Sequence, residues 1–329
     1  MSPQSWFWIV GYLIVGFVLL SKGADWLVLG GASLARRLGV SALVVGLTVI
    51  ACGTSAPEFV VSAFAAKQGH VELSLGNVLG SNVCNLALVL GGAAVILPGI
   101  LQARLASREI FWTLFAVGFV WWLASDRALT RVEGSLCLLA FVGYNVQLAF
   151  SARVPVLAED AAAEKAVRRS VFELIAGIVA ISLGAKLVLD GAVAGAGILG
   201  MPESVVGLTV VALGTSLPEV AAGWKGAYHG HADISIGNVV GSNVFNLLGV
   251  LGLVAVLQPL DPSDPAIADP AGMVRAFDDA LREDFFVVAG VTLLVLAITG
   301  LGRGRAGRLK GALLLSVYVG YNVWLVVSR

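Results

Sequence analysis

Runs of about twenty apolar residues, the length that spans a bilayer as a helix, follow one another along this chain with only short polar breaks between them. On that criterion the pattern predicts ten segments, at 5–35, 41–66, 73–97, 107–125, 132–151, 170–199, 202–227, 234–258, 285–301 and 309–328. The first and sixth are long enough to cross at a steep tilt. Each also holds a charge pair at helical spacing, Lys22 with Asp25 and Lys186 with Asp190. Both are expected to neutralise themselves near a helix end, where snorkelling relieves much of the cost of a charge in hydrocarbon. The first run has no basic side chain before it and continues past Leu20 without a small-residue cleavage pattern, so it reads as a transmembrane helix and not as a removed leader.

The polar breaks inside the segments are more informative than those between them. The second segment contains Gly53-Thr54-Ser55-Ala56-Pro57-Glu58, and the seventh contains Gly214-Thr215-Ser216-Leu217-Pro218-Glu219, 161 residues later. Between 45–58 and 206–219, eleven of fourteen positions are identical at that offset. Between 74–86 and 235–247, which hold Gly-Asn-x-x-Gly-Ser-Asn-x-x-Asn, ten of thirteen are. His70 has its counterpart at His231, and Gly143-Tyr144-Asn145 recurs as Gly320-Tyr321-Asn322 at an offset of 177. The additional 16 residues fall in the acidic stretch Pro259 to Asp284, expected to be a surface loop with a short helix around Met273 to Arg282.

A repeat of five spans is odd in number, so the second copy must enter the membrane from the opposite side. The expected fold is therefore an all-α polytopic membrane protein, with ten transmembrane helices as two inverted five-helix repeats. Residues 1–151 form the first repeat, 152–169 a cytoplasmic linker and 170–329 the second. That architecture belongs to secondary transporters, whose site lies at mid-membrane between the repeats. With the amino terminus outside, thirteen Lys and Arg fall on the inner side and six on the outer, so both termini are expected on the outer face.

Composition agrees. The chain is 58% hydrophobic and only 13% charged, with mean hydropathy +0.92, whereas about a quarter of the residues of a soluble domain are charged. Its formal net charge of zero leaves no electrostatic footprint for nucleic acid. Cys52, Cys84 and Cys137 lie in apolar segments without metal-like spacing, which argues against a disulfide framework or a zinc site. No cofactor and no obligate protein partner is expected; the partners are the lipid bilayer and transported ions.

The doubled motif has the chemistry of a cation site. Gly53 and Pro57 loosen the helix, and carbonyls near Ala51 and Cys52 are expected to lose their intrahelical partners. Thr54 and Glu58, four apart, share a helical face with Ser55 beside them, and Ser81 and Asn85 repeat the spacing. Thr215, Ser216, Glu219, Ser242 and Asn246 answer them from the second half. Together these supply carboxylates, hydroxyls, amide oxygens and carbonyls, with no sulfur or imidazole, a shell suited to hard cations and above all to Ca²⁺. Two ionised glutamates at mid-membrane repel unless protons or cations neutralise them; one Ca²⁺, two Na⁺ or two H⁺ would each do so. Close helix packing accounts for the small residues of the motif but not for Glu58 and Glu219. Asn77, Asn82, Asn238 and Asn243 fit ligands and helix–helix hydrogen bonding equally. An enzyme is not expected, since a Ser or Thr nucleophile would need a base beside it and His70, His229 and His231 fall in predicted loops.

At these residues the chain resembles the calcium:cation antiporter superfamily, most of all its prokaryotic sodium/calcium exchanger branch, through two copies of Gly-Thr-Ser-x-Pro-Glu followed by Gly-Asn-x-x-Gly-Ser-Asn-x-x-Asn. The resemblance implies that Glu58 and Glu219 bind Ca²⁺ and share in binding Na⁺. It further implies that Thr54, Ser55, Ser81, Thr215, Ser216 and Ser242, with the carbonyls of Ala51 and Ala212, complete flanking Na⁺ sites, and that the two long helices slide across the core. Many relatives carry Asp at the position of Asn246, potassium-dependent exchangers among them, so the paired amides Asn85 and Asn246 argue against K⁺ co-transport. The expected function is Ca²⁺ for Na⁺ exchange in a bacterial inner membrane by alternating access. Ca²⁺/H⁺ exchange through the same glutamates is the alternative, and a passive cation channel the reading from another class.

Overall fold

The computed structural model describes residues 3–101, 105–151, 163–199, 212–264, 269–299 and 306–328. The inner-side Arg104, Arg153, Arg303 and Arg305, the outer-side Arg329, much of the linker at 152–169 and residues 202–211 of the segment at 202–227 lie outside the described residues. Apart from a bridge residue at Val40 and an isolated bridge between Leu129 and Leu260, the described residues are helices, turns and short connections. Among the described residues six helices are long and apolar enough to cross a membrane, and Ala42–Thr54 with Ala56–Lys67 passes as a seventh span bent by 44°. The expected segments at 107–125 and 285–301 correspond to Leu105–Leu123 and Phe285–Thr299, which abut 102–104 and 300–305, outside the described residues.

Helix α1 (Pro3–Leu38) is followed by α2 (Ala42–Val45), a widened π-helical turn (Gly46–Ile50), α3 (Ala51–Thr54) and α4 (Ala56–Lys67). Ser41 caps α2 by accepting from Val44 N at 3.2 Å. Then come α5 (Val71–Cys84), a π-turn (Asn85–Val89), α6 (Leu90–Ile96), α7 (Leu105–Leu123) and α8 (Arg131–Ser151). A capping box starts α8, with Thr130 N donating to Glu133 Oε2 at 2.7 Å and Glu133 N to Thr130 Oγ1 at 3.5 Å. The second half contains α9 (Ala163–Ile198), α10 (Ala212–Thr215), α11 (Leu217–Tyr228), α12 (Ala232–Val244), a π-turn (Phe245–Val250) and α13 (Leu251–Leu257). It closes with α14 (Pro270–Asp279), a π-turn (Ala280–Asp284), α15 (Phe285–Thr299) and α16 (Ala306–Ser328). The inserted stretch is less superficial than the sequence suggests, because α14 buries Met273 and Phe277 against the core.

Two spans form the centre. In Val71–Ile96 and Ala232–Leu257, 78% and 83% of the most apolar stretch is buried, against 17–28% in α1, α8 and α16, whose outer faces are left for lipid. The halves interlock instead of standing side by side. Gly91 of α6 meets Gly311 and Leu314 of α16, and its repeat counterpart Gly252 of α13 meets Gly134 and Cys137 of α8. Around this centre α1 and α9 run antiparallel, with Gly16 against Gly184, Gly23 against Gly177 and Gly30 against Ser170. A Cβ on Gly177 would stand 2.6 Å from Leu27 N, so only glycine permits this backbone approach. The seven-residue glycine spacing on both helices, itself conserved at the 161-residue offset, is a pattern the sequence reading passed over.

Candidate cation site

In the second span the regular helix stops at Ser55, with φ −86° and ψ 10°, and in the second half it stops at Ser216, with φ −86° and ψ 3°. Pro57 lacks the N–H that would reach the Gly53 carbonyl, and Pro218 stands likewise to Gly214, so the ladder breaks at the same point in both halves. Each break places a carboxylate in the first turn of a new helix, Glu58 in α4 and Glu219 in α11, where the helix dipole favours negative charge. Both glutamates are 0% exposed. No ion pair among the described residues reaches either.

The two breaks face each other and exchange partners. Ser55 Oγ donates to Glu219 Oε1 at 2.7 Å, and Ser216 Oγ lies 3.4 Å from Glu58 Oε1 and 3.2 Å from Ser81 Oγ. Thr54 Oγ1 donates to Asn238 Oδ1 at 3.0 Å, and Thr215 Oγ1 to Asn77 Oδ1 at 3.3 Å. Ser242 Oγ reaches the Ala51 carbonyl at 3.5 Å.

The buried amides divide by their hydrogen bonds. Asn77 and Asn238 are bonded at both ends, since Asn77 Nδ2 donates to the Glu58 carbonyl at 3.2 Å and Ser62 Oγ at 2.9 Å, and Asn238 Nδ2 to the Glu219 carbonyl at 3.5 Å. Asn82 and Asn243 use only their nitrogens, on the Val78 and Asn82 carbonyls. Asn85 and Asn246, which sit at the start of the two π-turns, have neither end bonded. One oxygen of each glutamate, Oε2, is also buried without a partner. Unpartnered buried oxygens are rare because each carries a desolvation cost of about 1–3 kcal/mol, and more when charged. Two such carboxylate oxygens, two amide oxygens and the flanking hydroxyls fit a hard cation, which would complete their bonding and neutralise the repulsion.

Of the residues expected at the site, Thr54, Ser55, Glu58, Ser81, Thr215, Ser216, Glu219 and Ser242 are joined by these contacts, and all are buried. Ala212 opens α10, directly before Leu213-Gly214-Thr215. The Ala51 carbonyl is a correction. It keeps an intrahelical partner, accepting from Ser55 N at 3.0 Å and from Thr54 Oγ1 at 3.3 Å, because the proline removes the donor two residues further along. A second correction concerns Asp25, which does not pair with Lys22. Its Oδ1 takes Lys225 Nζ of α11 and Nε2 of His229, which caps that helix, both at 2.9 Å, whereas Lys186 and Asp190 pair as expected at 2.8 Å. Trp224 was not singled out. Its Nε1 donates to the Val89 carbonyl at 3.2 Å and ties α11 to the π-turn of Asn85.

A family profile described as sodium/calcium exchanger protein matches residues 8–150 and 169–327. The chain is 35% identical over 326 residues to the putative antiporter CaxA of Alkalimonas amylolytica, covering 96% of this chain and 98% of the relative. It is 28% identical to the sodium/calcium exchanger MaX1 of Methanosarcina acetivorans, over 95% and 97% of the two chains. It is 32% identical over 249 residues to the inner membrane protein YrbG of Escherichia coli, covering 72% and 76%. A solved structure of the sodium-calcium exchanger NCX_Mj, soaked with Na⁺ and Ca²⁺, superimposes with a TM-score of 0.80 at 30% identity over 100% of both chains.

Proposed function

Because this chain belongs to the sodium/calcium exchanger protein family, we propose that it exchanges Ca²⁺ for Na⁺ by alternating access, as two inverted five-helix repeats in a bacterial inner membrane with both termini outside. The observation that carries this reading is the reciprocal pair Ser55–Glu219 and Ser216–Glu58, with an unpartnered Oε2 left on each glutamate. Two carboxylates that cannot both stay charged and empty must hold Ca²⁺ or a lighter load of equal charge, and competition between those loads is what couples their movements. Glu58, Glu219, Asn85 and Asn246 would hold Ca²⁺. Thr54, Ser55, Ser81, Thr215, Ser216 and Ser242, with the Ala51 and Ala212 carbonyls, would hold Na⁺ on either side. The reciprocal glycine contacts between the halves support inverted repeats, and the charge bias of the loops supports the orientation. The name of the Escherichia coli relative supports the membrane.

The test is ⁴⁵Ca²⁺ flux in proteoliposomes under one imposed gradient at a time. A Na⁺ gradient with pH clamped should drive Ca²⁺ movement. Movement under a pH gradient alone would assign the coupling to H⁺, and Ca²⁺ flux without any counter-ion requirement would make the protein a channel.

A further inference from the structure

A hydroxyl ligates a cation through an oxygen lone pair, so its proton must be given to something else. Outer partners that take such protons fix the ligand in its binding orientation, and their loss is felt at the ion although they never touch it. Thr54 and Thr215, which the proposal above places in the Na⁺ sites, each have an amide oxygen of the opposite half within reach of that proton, Asn238 at 3.0 Å from Thr54, nearer than the Ala51 carbonyl of its own helix at 3.3 Å, and Asn77 at 3.3 Å from Thr215.

We infer that Asn77 and Asn238 are positioning residues that lock Thr215 and Thr54 as cation acceptors and tie each threonine to the backbone of the glutamate in the other half. Their amide orientation follows from their surroundings. Ser62 Oγ donates to the Ser74 carbonyl at 3.3 Å, which leaves it only a lone pair to offer Asn77, so the NH₂ group must point there and the oxygen must face Thr215. A flipped amide would set its oxygen against the Glu58 carbonyl, 3.2 Å away. Asn238 is 0% exposed and Asn77 8%, so water does not readily substitute for either bond. The arrangement occurs twice, once in each half, which makes it an internal replicate. It also separates these amides from Asn85 and Asn246, which each stand about two turns further along the chain with both ends unpartnered. The anchoring is unequal, because the position of Ser62 is taken by Gly223 in the second half and Asn238 keeps only its 3.5 Å contact with the Glu219 carbonyl.

This inference rests on the Na⁺ reading, and the experiment separates the two. Full-length Asn238→Leu, Thr54→Val and the double variant are reconstituted, with Asn77→Leu and Thr215→Val as the replicate set. Apparent KM values for Na⁺ and for Ca²⁺ are then measured in the same vesicles. Asn238→Leu should raise the Na⁺ KM about tenfold, the scale of one lost buried hydrogen bond, while the Ca²⁺ KM changes less than about threefold. In the Thr54→Val background the same substitution should add less than about twofold, whereas with Thr54→Ser, which keeps the hydroxyl, the full effect should remain. Asn77→Ala and Asn238→Ala carry the same expectation should leucine prevent reconstitution. Full additivity of the two substitutions, or equal loss of Na⁺ and Ca²⁺ affinity, would overturn the positioning role. A wild-type protein that moves Ca²⁺ without Na⁺ dependence would overturn the Na⁺ reading instead. The cycle, run on the Ca²⁺ KM against the ion that does drive exchange, would still decide the positioning role by its additivity.

Discussion

Ser55 reaches Glu219 at 2.7 Å, whereas its counterpart Ser216 stands 3.4 Å from Glu58 and leans towards Ser81. The glycines around the two sites differ in the same sense. Gly237 and Gly241 are buried, and a Cβ on Gly241 would lie 2.5 Å from the Leu47 carbonyl, while Gly76 and Gly80 remain partly exposed. Two stretches that share eleven of fourteen residues therefore hold their carboxylates differently at the same moment. Residue chemistry does not explain this, since the serine, glutamate and glycines are the same in both. The difference lies in conformation, and an exchanger of the kind proposed requires it, because halves with identical conformations would leave the site open to both sides or to neither.

The sharpest way to break the comparison is at the carboxylates. Glu58→Gln and Glu219→Gln should each reduce exchange by at least about a hundredfold, because each removes one of the two charges that balance a divalent ion. Both variants should still elute as monodisperse protein, since the loss of charge removes repulsion. Retained exchange in only one of them would mean that the halves differ in role and not merely in conformation.

A smaller effect separates the serines. A hydrogen bond to a charged group is worth about 1.5–3 kcal/mol, and only Ser55 has the short geometry for it. In calorimetric titrations, Ser55→Ala should weaken Ca²⁺ binding about tenfold and Ser216→Ala about threefold. Equal losses would show that the two conformations interchange freely and that neither distance dominates.

The motif and its doubling were legible in the sequence because Gly, Pro and Glu inside apolar runs are costly enough to mark a site wherever they occur. The buried glutamates and the helix near Met273 follow from local chemistry, and the structure has them where the sequence suggests, whereas the Ala51 carbonyl, expected to be freed, keeps its partner because the helix runs on to Ser55. For Asn77 and Asn238 the sequence left ligand and helix–helix hydrogen bond equally open, whereas Asn85 and Asn246, in the π-turns that follow α5 and α12, were already placed among the ligands. What separates them is whether each end of the amide finds a partner, and the partners of the amide oxygens lie on chain segments more than a hundred residues away. Asp25 was misassigned for a related reason. Spacing brings Lys22 to mind, but tertiary packing presents Lys225 and His229, 200 and 204 residues distant in the chain.

That misassigned residue also gives the mildest test of the comparison. The counterparts of Asp25, Lys225 and His229 in the other half are Lys186, Phe64 and Gln68, so the charge cluster that joins α1 to α11 has no equivalent joining α9 to α4. A contact made in one half alone favours whichever state contains it. The cluster is about a quarter exposed, so solvent screening limits its worth to roughly 1 kcal/mol. If sliding of α1 over the core accompanies exchange, Asp25→Asn should change the Ca²⁺/Ca²⁺ self-exchange rate by up to about fivefold. Lys186→Met, which breaks only an exposed pair within one helix, should leave that rate unchanged. Equal sensitivity to the two substitutions would remove the cluster as a source of the asymmetry and leave the packing of Gly237 and Gly241 against the second span as the feature that distinguishes the halves.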